Sequence, residues 1–522
     1  MPARQTLPSV VRVRFCRNLI FYGKYDITKY SSNTAVLLCP FWSTALYWEV
    51  LFMASKKPLN VTDGSRSVPM TIILLAWPVF IEQVFSTLVS FADTAMVGAL
   101  GKEATAAISI SNAPIFLLNG IMMALGVGLT TMVAHAVGSG DHDRVKVLMR
   151  HALLMILYIG IPISVIVAML SRAIPLFMGA GPDIIDAATN YNLIVSMGRV
   201  FMLVSMVLNS AFRGYGDTKT PMILNIIMNV VNVCGNYLLI NPTRQISVFG
   251  FEFTMIGAGW GVKGAAAATA LGMMLSGVLA LIMAFRKSNI YRISLSGAKD
   301  LLPDKKLVSQ ILKISLPAML ERIFMSSSGI VVSSSLATLG TASIAANSLV
   351  SSAESLSFMP AFAFQTAITT LTGQSLGAKK PELAQKFLKW TLIMGTVVMA
   401  AATVGLYVFA APLIGVFTPD QGVILLAAEC LRLMAIIQIP QMIAWTLAGM
   451  LRGAGDTKSG FYITAATNWC IRALFAVLLI RVFHQDLIAY CYVIDFEIMV
   501  RLLLMYLRYR SGKWKTIMVK TK

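Results

Sequence analysis

Two acidic residues stand inside an otherwise apolar stretch, Glu82 and Asp93 in WPVFIEQVFSTLVSFADTAMVGALG at 77–101. Eleven residues separate them. At about 100° per residue a helix presents both on one face, roughly 16 Å apart along its axis. An ionisable group at the centre of a bilayer is disfavoured by about 2.5–3.5 kcal/mol on insertion scales, so such residues tend to face a cavity and to have a purpose. Burial disfavours the charged form of a carboxyl, and an acid that takes up and releases a proton is what an ion-coupled carrier needs. The plainer readings are that either acid pairs with a buried arginine or caps a kink, or that Asp93 sits at the membrane interface. Asn232 and Asn236, one turn apart, carry amide oxygens able to orient a carboxyl or coordinate a cation, and Asn209 is a third amide of that kind. Interhelical hydrogen bonding is the plainer role for all three, at about 0.6 kcal/mol each. The ion-coupling set read from the sequence is Asp93, Asn232, Asn236 and Glu82.

Other chemistry has little support. No pair of the six cysteines forms a C-x-x-C, the four histidines lack metal-ligand spacing, and no G-x-x-x-x-G-K-[ST] loop is present. No metal site, no cofactor beyond a coupling proton or sodium ion, and no enzyme activity are expected.

The elements that must position these residues are membrane helices. Of 522 residues 57% are hydrophobic and 13% charged, about half the charge of an average soluble domain. Apolar stretches long enough to cross a hydrocarbon core recur, and twelve spans are expected, near 68–95, 105–135, 146–170, 185–212, 219–240, 256–285, 310–338, 345–375, 386–416, 423–450, 459–481 and 486–508. The net charge of +20 does not point to nucleic acid, because Lys and Arg are spread through short connections rather than gathered in a patch. They alternate between the two sides. Arg144, Lys146, Arg213, Lys219, Lys305, Lys306, Lys379, Lys380, Arg452, Lys458, Arg508 and Arg510 fall on one side, against Lys102, Arg172, Arg244, Lys263 and Arg481 on the other. The positive-inside rule puts the first set, and both ends of the twelve-helix unit, in the cytoplasm of a cell whose inner membrane holds the protein.

The chain then divides into an atypical extension at 1–60, a first lobe at 61–290, a basic linker at 291–309, a second lobe at 310–515 and a tail at 516–522. Segment 34–53 is apolar but carries Glu49 and would export basic flanks if it spanned. A misassigned start, with Met53 as initiator, or an Arg-rich leader is expected instead.

The two lobes are copies. FRGYGDTKTP at 212–221 recurs as LRGAGDTKSG at 451–460, an offset of 239 that also carries Pro78 onto Pro317, Glu82 onto Glu321, Gly138 onto Gly377 and Thr130-Thr131 onto Thr369-Thr370. Six spans per copy is an even number, so both enter the membrane the same way round. The fold expected is an all-α integral membrane protein of two six-helix bundles related by a pseudo-two-fold axis along the membrane normal. Rocking of the bundles would open the cavity between them to either side.

Residues 68–515 resemble the multidrug and toxic compound extrusion (MATE) family. The stretch at 77–101 is similar to its first helix, the two RGxGDTK loops to its signature after helices four and ten, and SGKWK at 511–515 to its common tail. The resemblance implies a two-lobed antiporter that exports cationic amphipathic compounds, drugs and dyes, against inward proton or sodium flow. Asp93 matches the acid of the family's DTxxxG first-helix motif, which belongs to a first-lobe cation or proton site. NVCGNYLLI at 232–240 matches the stretch whose polar residues face that acid, although one branch has Asp where this chain has Asn236.

The second lobe departs from the pattern. Val332 is the repeat mate of Asp93 and Met325 stands eight residues after Pro317, leaving Glu321 as the possible substitute acid. The RGxGDTK loops read as structural, with glycines for tight turns and Asp217 and Asp456 as helix caps. Expected partners are small organic cations and the lipid bilayer, with a monomer sufficient for transport. A flippase for lipid-linked sugars is the competing reading. It would bring basic residues into the cavity to hold diphosphate, whereas here the first span brings acids and the arginines read as loop residues.

Overall fold

The computed structural model describes residues 66–248, 251–286, 292–293 and 302–517, without the side chains of 112–118, 121 and most of 244–256. The expected N-terminal extension, its segment 34–53 and residues 291 and 294–301 of the linker lie outside the described residues. What is described belongs to one compact unit that begins at Pro58.

Twelve long helical segments follow in order. The first six are α1 (Val68–Gly98), α2 (Lys102–Gly138), α3 (His142–Met169), α4 (Pro182–Tyr215), α5 (Lys219–Ile240) and α6 (Gly261–Phe285). The second six are α7 (Lys305–Leu336), α8 (Thr341–Gly377), α9 (Pro381–Val408), α10 in two pieces (Gln421–Ile436 and Gln438–Gly453), α11 (Thr457–Val482) and α12 (Leu487–Arg510). Among the described residues one element is not helical. A hairpin of β1 (Pro242–Val248) and β2 (Phe251–Ala258) joins α5 to α6, so α6 starts at Gly261 rather than near 256. Likewise α7 begins at Lys305, where Asp304 caps it by accepting from the Lys306 amide at 2.8 Å.

Among the described residues seven helices, or eight with the bent α10, are apolar and long enough to cross a bilayer on composition alone. Of the remaining four, α7, α8 and α12 carry serines and charges among their apolar residues, and α2 contributes a shorter apolar stretch at Met122–Gly138. Large apolar side chains such as Val165, Ile166, Met169, Val397, Val404 and Leu425 are exposed on α3, α9 and α10. This belt makes sense only against lipid.

Local chemistry explains where the repeats differ. α10 bends by 51° at Ile437. Pro440 lacks an N–H and its ring clashes with the carbonyl four residues back, at Ile436. Its mate in the first lobe is Phe201, and α4 runs unbroken for 34 residues.

The lobes meet at the end that carries the basic loops. Thr131 donates to the Arg452 carbonyl at 3.0 Å, and its mate Thr370 donates to the Arg213 carbonyl at 3.0 Å. His135 Nε2 reaches the Gly453 carbonyl at 3.0 Å, and its mate Gln374 reaches that of Gly214 at 3.2 Å. Each contact is exchanged with its partner by the 239-residue offset, as an isologous two-fold interface requires. Two glycines permit the approach: a Cβ on Gly138 would lie 2.0 Å from the Gln374 carbonyl oxygen, and one on Gly377 would lie 2.2 Å from that of His135. Around them Ile72, Leu75 and Val79 of α1 are fully buried in one cluster with Ala367, Ile368 and Leu371 of α8. The basic end is closed.

Candidate functional site

α1 and α5 run parallel, and a ladder of polar contacts joins them at a constant separation of 143 residues. Asn225 donates to Glu82, Asn229 approaches Ser86 and Asn236 donates to Asp93. Helical periodicity put Glu82 and Asp93 on one face, and α5 is the helix opposite it.

At one rung Asp93 is half-buried, while Asn232 and Asn236 are 6% and 2% exposed. Asn236 Nδ2 lies 2.5 Å from Asp93 Oδ1. The amide of Asn232 has two usable orientations. With its oxygen accepting from Thr269 of α6 at 3.1 Å, its nitrogen donates to both Asp93 oxygens at 2.8 and 3.0 Å. Turned over, its nitrogen donates to Thr269 and its oxygen faces the acid. The first orientation suits a carboxylate, which only accepts; the second suits a protonated acid, which donates. The Asn236 oxygen is buried with no partner. Two amides, one of them oriented by Thr269, therefore meet the acid with groups that can answer either of its protonation states, or supply oxygens to a small cation. Among the described residues no group of three or more His, Cys, Asp or Glu side chains could hold a metal ion.

The other rung differs from expectation. Glu82, read as a second coupling acid, is 3% exposed and held by Arg213 at 2.6 and 2.8 Å and by Asn225 at 2.5 Å. A carboxylate so paired is a structural ion pair, the plainer of the two readings weighed from sequence. Glu321 repeats the arrangement with Arg452 at 2.9 Å. Both pairs span 131 residues, and the guanidiniums come from the RGxGDTK signatures. Those arginines, read as loop residues, instead reach back along the helix end to the buried acids. The equal spacings Glu82–Arg213 and Glu321–Arg452 were present in the sequence, and the repeat could have exposed them.

Asn209 stands apart from Asp93. It donates to Ser205 at 3.1 Å, and Ser205 shares a hydrogen with Ser276 of α6 at 2.7 Å. Of the two caps, Asp217 accepts from the Thr220 amide at 3.0 Å. Asp456 makes no such bond and pairs with Arg508 at 2.7 Å.

In the second lobe the mates of Asp93, Asn232 and Asn236 are Val332, Ile471 and Phe475. That lobe has polar groups of its own elsewhere. Gln438 donates to Glu354 at 3.1 Å and accepts from Ser357 at 2.9 Å, while Glu497 pairs with Arg501 and, at 3.5 Å, with Arg472. Glu354 escaped the sequence reading, although a lone acid in the middle of α8 was the signal that could have found it.

The MatE family profile matches residues 78–238 and again 317–478, one copy per lobe. The chain belongs to the MatE family. Among its relatives, the probable multidrug resistance protein NorM of Thermotoga maritima is 27% identical over 453 residues, 86% of this chain and 94% of that one. The multidrug resistance protein PmpM of Pseudomonas aeruginosa is 27% identical over 418 residues, 79% of this chain and 84% of that one. A solved structure described as the outward-facing conformation of a multidrug resistance MATE family transporter matches with a TM-score of 0.79 and 22% identity, over 89% of this chain and all of that one. The MatE chain described here is thus a multi-pass membrane protein with the family's twelve-helix, two-bundle fold.

Proposed function

We propose that this MatE chain is a secondary antiporter that exports cationic or amphipathic organic compounds in exchange for protons or sodium ions by alternating access. The carrying observation is Asp93, an acid in a membrane helix held by Asn232 and Asn236 of a parallel helix rather than by an arginine. Such an acid can change its charge without breaking an ion pair. Rotation of the Asn232 amide would follow the proton, donating to the carboxylate and accepting from the acid. Asp93, Asn232 and Asn236 are the coupling residues, with Thr269 as the hydroxyl that orients Asn232. The second lobe has apolar mates at these positions, so coupling runs through the first lobe.

The basic loops lie in the cytoplasm by the positive-inside rule. The closed end is then the cytoplasmic end, and the protein sits in the inner membrane with both ends of the twelve-helix unit inside. Compounds leave from the opposite, outward-opening side. One chain holds both lobes and suffices for a transport cycle.

Ethidium efflux from energised vesicles tests the reading, comparing the parent with Asp93→Asn under separate proton and sodium gradients. The parent should export, the gradient that drives it naming the ion, and the variant should insert normally but lose gradient-driven efflux. Undiminished efflux from the variant would remove Asp93 from the mechanism.

A further inference from the structure

A cavity with about 80 Å³ of solvent-sized space lies between the lobes, just inside the closed basic end. It straddles the repeat axis. Thr130 and Thr369 line it as mates, as do Arg213 and Arg452. Arg322 of α7 breaks the symmetry, because its mate in α1 is Gln83.

The charges around this cavity do not balance. Glu82 neutralises Arg213 and Glu321 neutralises Arg452. Arg322 is the third guanidinium, and among the described residues it makes no hydrogen bond or ion pair. Its electrostatic neighbours are Arg452 and Glu321, the latter already engaged. An uncompensated positive charge at this depth of a membrane protein is strongly disfavoured. The donors facing the cavity are guanidinium N–H groups and the amide of Gln365, which gives one hydrogen to the Trp445 carbonyl at 3.1 Å. The hydroxyls of Thr130, Ser210, Thr366 and Thr369 spend their hydrogens on backbone carbonyls, while Arg213 Nε is buried without a partner.

We propose that Arg322 and this interlobe cavity bind one small anion, a carboxylate group or an inorganic ion of similar size. Recognition comes from the planar N–H fork of Arg322, which fits a carboxylate in two-point fashion. The space is small, about 80 Å³, which suits a compact anion. The anion is either free in solution or the carboxylate end of an exported compound. Its binding would steady the closed state by cancelling the odd charge.

The purified chain in detergent provides the test through its melting temperature, which does not depend on transport. Sodium chloride, formate and acetate are titrated at ionic strength held constant with the sodium salt of a bulky morpholinosulfonate, which carries no carboxylate. Small anions should stabilise saturably, reaching about a hundredfold in the folded-to-unfolded ratio at a hundred times Kd. Arg322→Gln, which installs the residue found at Gln83, should abolish the dependence, and Arg322→Lys should keep it with weaker affinity. Two efflux arms separate the sources. If the anion is free in solution, export of every dye slows when the sulfonate replaces chloride. A cargo carboxylate makes Arg322→Gln lose a carboxylate-bearing dye while ethidium still leaves. No stabilisation of the parent by any small anion, or full anion dependence retained by Arg322→Gln, would overturn the proposal.

Discussion

Arg213→Met isolates the buried ion pair of the first lobe. Glu82 is 3% exposed and accepts from Arg213 at 2.6 and 2.8 Å and from Asn225 at 2.5 Å. Without the guanidinium a buried carboxylate is left with one amide. Removing one partner of a buried pair destabilises by about 3–5 kcal/mol, whereas replacing both with apolar groups is often neutral. The Arg213 side chain is 17% exposed, so solvent relieves part of the penalty and the lower figure, about 3 kcal/mol, applies. For a lobe that unfolds as a unit of about 200 residues, each kcal/mol moves the midpoint by about 2–4 °C, which gives a drop of about 6–12 °C. The double variant Arg213→Met with Glu82→Leu should regain most of that loss. The second-lobe variant Arg452→Met should lose less, because Arg322 remains beside Glu321 to oppose its charge. Melting of the purified proteins in one detergent, arranged as a double-mutant cycle, measures the coupling directly. The reasoning fails if Arg213→Met melts with the parent, or if the double variant melts as low as the single one.

Further expectations concern the closed end and the Asp93 site. Gly138→Ala and Gly377→Ala each put a methyl within 2.2 Å of a carbonyl oxygen in the other lobe. Each should loosen the basic end by about 1–3 kcal/mol, seen as faster labelling of a cysteine placed at Thr131, and unchanged labelling would count against a glycine-limited closure. Thr269→Val removes the hydroxyl opposite Asn232 and should destabilise by about 0.5–1.5 kcal/mol, with efflux weakened but not abolished; efflux equal to the parent's would mean that Asn232 needs no orienting partner. Pro440→Ala should restore a helical hydrogen bond and straighten α10, readable as a longer spin-label distance across Ile437, and an unchanged distance would assign the bend to packing instead.

Several features of this MatE chain follow from sequence alone, because they depend on local periodicity and on solvent. Stretches apolar enough for a bilayer must be helices, since no water is present to satisfy an open backbone. The 239-residue offset made the lobes copies before any contact was known. Eleven residues between Glu82 and Asp93 put both on one face of α1, because a helix turns by a constant angle.

What lay across that face was not legible, because periodicity says which residues share a side and nothing about what packs against it. Tertiary structure decided that α5 is the neighbour, that Asp93 meets two amides there, and that Glu82 meets an arginine from a loop signature 131 residues away. It also decided that the lobes close at the basic end through mates that exchange partners, and that among the described residues Arg322 remains without one. An ion pair or an unmatched charge is a property of two or more segments brought within a few ångströms, and no reading of one segment contains it.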